Sequence, residues 1–241
     1  MMKKMVLLFA AACMMAACGE SDVAPVVFEA YEQEAGAQTP DGIPAHIGLR
    51  IDVPQGTDGV AKNIVAGIRQ LIASSQIATE LGEPADGALP TVGSKYVETF
   101  LSRMAKGELE GVPAEYQLGI SCEYQNEACV RFHVVDGIYG NGGPYEYDAV
   151  VRKSDGHVMQ QDEMVNISMD DLKALVSKHA TDEQKESLFI EEDGYQFSPD
   201  PQGCRFHWAV GSHFFQVVVI PLDELEPFLT EEAKQCGLMT F

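Results

Sequence analysis

The sequence predicts an α+β protein, an antiparallel β-sheet packed with several helices in a single compact domain over residues 44–241. Three observations carry that expectation. Hydrophobic residues alternate with period two through the middle of the chain and again near its carboxyl end. Stripes with helical period fall between those stretches, and from about residue 115 consecutive strand-like runs are joined by turns too short for crossover helices.

The first strand is read over 46–53, where Ile47, Leu49, Ile51 and Val53 share one face and Pro54-Gln55-Gly56 ends the run. A helix over about 58–75 follows, with Thr57 or Asp58 as cap and Val60, Ile64, Val65, Ile68, Leu71 and Ile72 as its apolar stripe. Residues 82–90, with Pro84 and Pro90, form a loop. A second helix over about 95–106 presents Val97, Phe100, Leu101 and Met104, capped by Ser94. Strands are then expected at about 115–124, 128–138, 145–152 and 157–160, as an antiparallel meander. Ser168-Met169-Asp170-Asp171 is an Asp-type capping box opening a helix to about 179. Two more strands, about 203–210 and 213–220, precede Pro221 at a helix start, with Leu222, Leu225 and Leu229 facing inward.

The amino end reads as an address. Lys3 and Lys4 precede the apolar run Met5-Val6-Leu7-Leu8-Phe9-Ala10-Ala11-Ala12, the order of an export signal over residues 1–17. The run is shorter than the roughly 20 residues that span a bilayer. Met15-Ala16-Ala17-Cys18-Gly19 looks like a lipobox, so Cys18 is the expected acceptor of lipid (palmitate and related acyl chains). Cys13 is the weaker acceptor, because apolar residues still follow it; an ordinary cleaved signal and a soluble secreted product is the other reading. Gly19-Glu20-Ser21-Asp22 resembles the export signals of surface lipoproteins in the Bacteroidetes. Residues 18–43 lack sustained periodicity and are expected to be a flexible tether. The expected location is the cell envelope, anchored to a membrane through Cys18, at the outer membrane's periplasmic face or the cell surface.

Charge narrows the partners. The formal net charge is −21, with 37 acidic against 16 basic residues, and loss of Lys3 and Lys4 with the signal would take it to −23. Phosphate backbones are held by Lys and Arg, so nucleic acid is excluded as a partner. A basic protein or a divalent cation suits the sign, and general solubility of an exported chain explains it equally well.

With Cys13 and Cys18 set aside, Cys122, Cys129, Cys204 and Cys236 remain, an even set expected to form disulfides in an oxidising compartment. A turn centred on Gln125-Asn126 would place Cys122 opposite Cys129, leaving Cys204 to pair with Cys236 by elimination. A zinc site is disfavoured, because no Cys-x-x-Cys or partnered His accompanies the cysteines.

Tyr139-Gly140-Asn141-Gly142-Gly143-Pro144, the Asp155-Gly156 turn and Val218-Val219-Ile220-Pro221-Leu222-Asp223-Glu224-Leu225 carry a resemblance. They are similar to the extracytoplasmic domain of unknown function in RsiV-type anti-sigma factors, which also lies beside the catalytic domain of PdaC-type peptidoglycan deacetylases. The likeness runs over about 45–232. The first motif departs from the family's Tyr-Gly-Gly-Ala-His-Pro by an inserted Asn141 and a missing His, so no role of that His is transferred. The resemblance implies two sub-parts, about 44–137 and an RsiV-like 138–236, and a non-catalytic binding or sensing module. In the anti-sigma relatives the partner is lysozyme, a basic protein. Tyr139, Asn141, Gly142, Gly143 and Pro144 then become the candidate ligand loop, with a basic protein or peptidoglycan as ligand. With no cytoplasmic segment ahead of the anchor, direct transmembrane signalling is not expected.

Catalytic patterns are weak. The chain has no His-Glu-x-x-His, Gly-x-Ser-x-Gly or Ser-x-x-Lys, and Gly140-Asn141-Gly142-Gly143 lacks the Lys-Ser/Thr of a phosphate loop. His133 is assigned to the strand face opposite Phe132 and Val134, and His207 and His213 flank a hairpin. Asp162-Glu163, Asp170-Asp171 and Glu191-Glu192-Asp193 fit capping and solvation, and the last lacks EF-hand spacing. No catalytic residue, cofactor or metal ligand is therefore assigned. The alternative is an envelope hydrolase acting on glycan or peptidoglycan through an unrecognised carboxylate or His site.

Overall fold

The computed structural model describes residues 25–82, 86–109, 115–139, 145–186, 188, 195–200, 202–210, 214–220 and 221–236. Cys13, Cys18, Asn141 to Pro144, Glu191 to Asp193 and His213 lie outside the described residues. Tyr139 is the last residue of its strand.

Five strands form one sheet in the order β1-β2-β3-β4-β5: β1 Phe28–Gln38, β2 Pro44–Pro54, β3 Glu115–Gln125, β4 Cys129–Tyr139 and β5 Tyr145–Arg152. A second sheet orders β6 Tyr195–Asp200, β7 Gly203–Val210 and β8 Phe214–Ile220 as consecutive antiparallel neighbours. The α+β class holds, with one difference in the larger sheet. β2 and β3 run parallel, with Ile47 beside Tyr116 and Ile51 beside Ile120. A parallel neighbour needs a crossover. It is supplied by α1 Gly59–Ala73, α2 Gln76–Leu81 and α3 Leu89–Lys106.

The strand β1 replaces much of the expected tether. Its half-hidden positions are held by Tyr31 and then by Gln33, Ala35 and Ala37, which are polar or small and of low strand propensity, so the alternation does not register as a hydrophobic row. It pairs with β2 along its whole length and docks on α3, where a Cβ on Gly93 would stand 2.4 Å from Tyr31 Cε1. The folded domain therefore begins well before residue 44.

The helices follow the sequence reading with adjustments. Asp58 caps α1 by accepting from Ala61 N at 2.8 Å, and the stripe Ile64, Ile68, Leu71 and Ile72 is buried. Between the expected first helix and the loop at 82–90 lies a short helix the sequence reading did not assign, α2, capped by Ser75 and by buried Asp136 of β4, whose carboxylate accepts from Gln76 N at 2.9 and 3.0 Å. Burial raises the Asp136 carboxyl above its ordinary value against those backbone donors. Pro90 sits in the first turn of α3, which starts six residues before Lys95. Ser94 is thus inside the helix, where it bonds Gln33 and Tyr31 of β1 instead of capping.

Two cores result. Ile47, Leu49, Ile51, Leu118, Ile120, Val130, Phe132, Val134, Ala149 and Val151 face α1 and α3. After β5 come the helices α4 Gln161–Met164, α5 Met169–His179, α6 Asp182–Glu186, α7 Leu222–Leu225 and α8 Glu231–Gln235, and Trp208, Phe206 and Ile220 join residues of α5, α7 and α8 in the other core. Cys129 and Val150, from the alternate positions of β4 and β5, belong to that second core. Adjacent residues of the same strands thus serve both cores, which makes the chain one unit. β5 belongs to the first sheet, so the change of sub-part falls after Arg152 and not at residue 138. Ser168 caps α5 as expected, its hydroxyl accepting from Asp171 N, while the Asp171 carboxylate accepts from that hydroxyl at 2.6 Å. Leu225 and Leu229 are buried, whereas Leu222 is 37% exposed and faces out.

The disulfide differs from both expected pairings: Cys129 is bonded to Cys236, with Cα atoms 5.1 Å apart. The hairpin turns later than its sequence centre suggests. Asn126 Oδ1 accepts from Ala128 N and Cys129 N, which fixes Asn126 at the first position of the turn. Lys153 Nζ, donating to Asn126 O at 2.6 Å, braces it. A bulge between Cys122 and Tyr124 completes the shift, so Cys122 faces Phe132 and Cys129 faces Arg152 of β5. Cys204, buried in β7, lies in the same core as the bridge.

Candidate functional site

The sheet face turned away from α1 and α3 is polar where the second core, reached by Cys129 and Val150, does not cover it. Glu32 meets Arg50 at 3.0 Å, and Glu34 approaches His46 at 4.0 Å. Further along, Arg131 lies over the Tyr124 ring, 5.4 Å from its centroid. Glu32, Glu34, Glu115, Glu123 and Glu146 are all exposed there. Strand alternation places them: their cross-strand neighbours, Arg50, Gly48, His46 and Val135, are out of phase with the buried residues of the same strands.

The densest chemistry on this face centres on His133. Its register partner on β5 is Asp148, and His133 Nδ1 lies 3.2 Å from Asp148 Oδ1. The Asp148 side chain is only 9% exposed. Glu123 arrives through the bulge: it is the extra residue between Cys122 and Tyr124, and β4 offers it no partner. One donor atom from each of Glu123, His133 and Asp148 lies within 4.8 Å of the others.

Electrostatics follow from that arrangement. The hydrogen bond to Asp148 holds the His133 imidazole above its ordinary value, against partial burial, and the charges of Asp148, Glu123 and Glu146 add to it. His207 of β7 goes the other way. Burial lowers it, Arg205 lowers it further, and the Asp148 charge opposes both. Two imidazoles thus sit within the field of one carboxylate with opposite protonation tendencies.

The other acid pairs have structural work. Glu163 accepts from Gln160 N and pairs with His157 at 2.8 Å, which lowers its carboxyl. Asp171 completes the cap of α5. Glu224 ties α7 to α5 through Lys178 at 2.6 Å and His179 at 3.1 Å.

The sequence reading placed His133 on its face but assigned it no partners. The register that brings Asp148 opposite, and the bulge that adds Glu123, are tertiary facts. The available signal was a strand carrying His next to one carrying Tyr-Asp-Ala.

No protein-family model matches the chain, and no curated protein sequence matches it. Its fold does match solved structures. A member of the DUF3298 family from Bacteroides fragilis superposes with TM-score 0.61 at 12% identity, covering 89% of this chain and 97% of that one. A DUF3298 family protein from Pseudomonas aeruginosa gives TM-score 0.54 at 12% identity, covering 87% and 97%. At that identity the likeness concerns the fold, over nearly the full length of both bacterial proteins.

Proposed function

We propose that this chain is a lipid-anchored extracytoplasmic binding module of the bacterial envelope, attached through Cys18, whose ligand is a basic protein of the lysozyme kind. The carrying observation is the acidic sheet face, where Glu32, Glu34, Glu115, Glu123 and Glu146 stand exposed in a chain of net charge −21. Such a face steers a cationic partner and makes capture strongly salt-dependent. The Cys129–Cys236 bridge agrees with an oxidising compartment. The export signal and the acceptor Cys18 support the anchored location, and the shared fold with bacterial DUF3298 proteins agrees with the resemblance in the sequence.

The test is retention of lysozyme, peptidoglycan fragments and a second basic protein of similar charge on the immobilised chain, at low and high salt. Lysozyme should be held at low salt, released by salt, and held less by E32Q/E34Q/E146Q. No retention at low salt overturns the ligand class. Retention of peptidoglycan alone replaces the protein ligand with a polymer. For the anchor, C18A should move the chain from the membrane fraction to the soluble one and abolish acyl labelling.

A further inference from the structure

We propose that Glu123, His133 and Asp148 form a binding site for a zinc-like divalent cation. The site shares Glu123 with the acidic face proposed above to meet a protein, but its test uses the metal alone and does not depend on that ligand. Its donors come from three positions that the sheet itself fixes: adjacent strands supply His133 and Asp148 in register, and the bulge delivers Glu123.

The donor set selects the metal class. One imidazole nitrogen and two carboxylate oxygens suit first-row ions, whereas magnesium and calcium favour oxygen alone. Three protein ligands with an open fourth position is the arrangement of zinc sites that keep a water. With bonds of about 2.0–2.2 Å, a tetrahedral site has donor–donor edges of roughly 3.4 Å. The His133 Nδ1 to Asp148 Oδ1 separation of 3.2 Å already has that length. The remaining donor lies within 4.8 Å of both, and Glu123 is exposed, so rotation of one surface side chain closes the other two edges.

Charge and burial favour occupancy. The Asp148 side chain is nine-tenths buried, with its carboxylate aimed at His133, and a carboxylate in that setting calls for a countercharge. Binding displaces the proton that Asp148 favours on His133, and the two carboxylates with the neutral imidazole then make a site of charge −2, which a divalent ion neutralises. Rigid strands hold the two inner ligands, so little ordering opposes binding.

The test is calorimetric titration of the full chain with zinc alone, after treatment with a chelator, alongside H133A, D148N and E123Q. The expected result is one ion per chain, with affinity reduced at least about tenfold in H133A and D148N and also weakened in E123Q. Glu123 is exposed, so E123Q keeps the test readable if either inner variant misfolds. Cobalt substitution gives a second readout: visible bands of a low-symmetry site that H133A removes. Absence of zinc binding at millimolar concentration, or unchanged binding and cobalt bands in all three variants, overturns the proposal.

Discussion

A Cβ placed on Gly67 of α1 would stand 2.4 Å from Cγ1 of Val151 on β5, and 2.9 Å from the carbonyl oxygen of Gly156. The helix and the sheet edge meet there with no room for a methyl group. Replacing Gly67 by Ala adds about 1 kcal/mol of helix propensity. Overpacking at a backbone-lined contact costs about 1–3 kcal/mol and wins. G67A should lower the midpoint of chemical denaturation, and V151A should be less harmful in the G67A background than alone. Additive losses in the double-mutant cycle would show that the two residues do not compete for space.

The position of β1 predicts where the chain can be shortened. A chain beginning at residue 25 keeps the pairing of Phe28–Gln38 with β2 and should unfold cooperatively at the original temperature. A chain beginning at residue 44 loses the cover that Phe28, Ala35 and Ala37 give the first core and bares the β2 edge. It should aggregate or melt without a sharp transition, as circular dichroism and light scattering would show.

The bridge between Cys129 and Cys236 closes a loop of 107 residues. Restricting an unfolded chain over that length is worth about 4–5 kcal/mol in the loop-entropy account. C129A/C236A, or the wild type held in reductant, should lose stability on that scale. A variant lacking Cys122 should still form the Cys129–Cys236 bond under oxidising conditions and keep the stabilisation that the bond confers. Mass mapping of the oxidised protein that returned Cys122 joined to Cys129 would overturn this pairing.

Asp155 sets an acid limit. Hydrogen bonds from Arg152 and from His157 N hold its carboxyl down at about 2, against an ordinary 3.8. A depressed carboxylate contributes its stability fully above 3.8 and loses it as pH falls through about 2. The pair is exposed, which keeps the contribution small. The difference in denaturation midpoint between wild type and D155N should be constant above about pH 5, shrink as pH falls toward 2, and be mostly lost there. A difference that persisted undiminished at pH 2 would assign the effect to packing.

Much of the fold is legible in the sequence because hydrophobic periodicity and capping chemistry are local. Ile64, Ile68 and Leu71 announce α1, and Ser168 with Asp171 announces α5, without reference to the rest of the chain. β1 is hidden because Tyr31, Gln33, Ala35 and Ala37 are not a hydrophobic row; its pairing comes from β2 and α3. The parallel β2–β3 pairing is hidden for another reason: the direction of a returning strand is decided by the crossover, not by either strand. The polar site is the least legible part. His133 could be placed on a face, but its neighbours depend on a register that the one-residue bulge at Glu123 resets.

The same bulge and late turn bear on how the protein acquires its bridge. Any chain released amino end first presents Cys122 to Cys129 across only seven positions, long before Cys236 has emerged. The nearest encounter is therefore the wrong one, and the native bond has to wait for α8 to arrive at the foot of β4. Maturation is a contest between proximity and architecture, and a disulfide isomerase would find its substrate here.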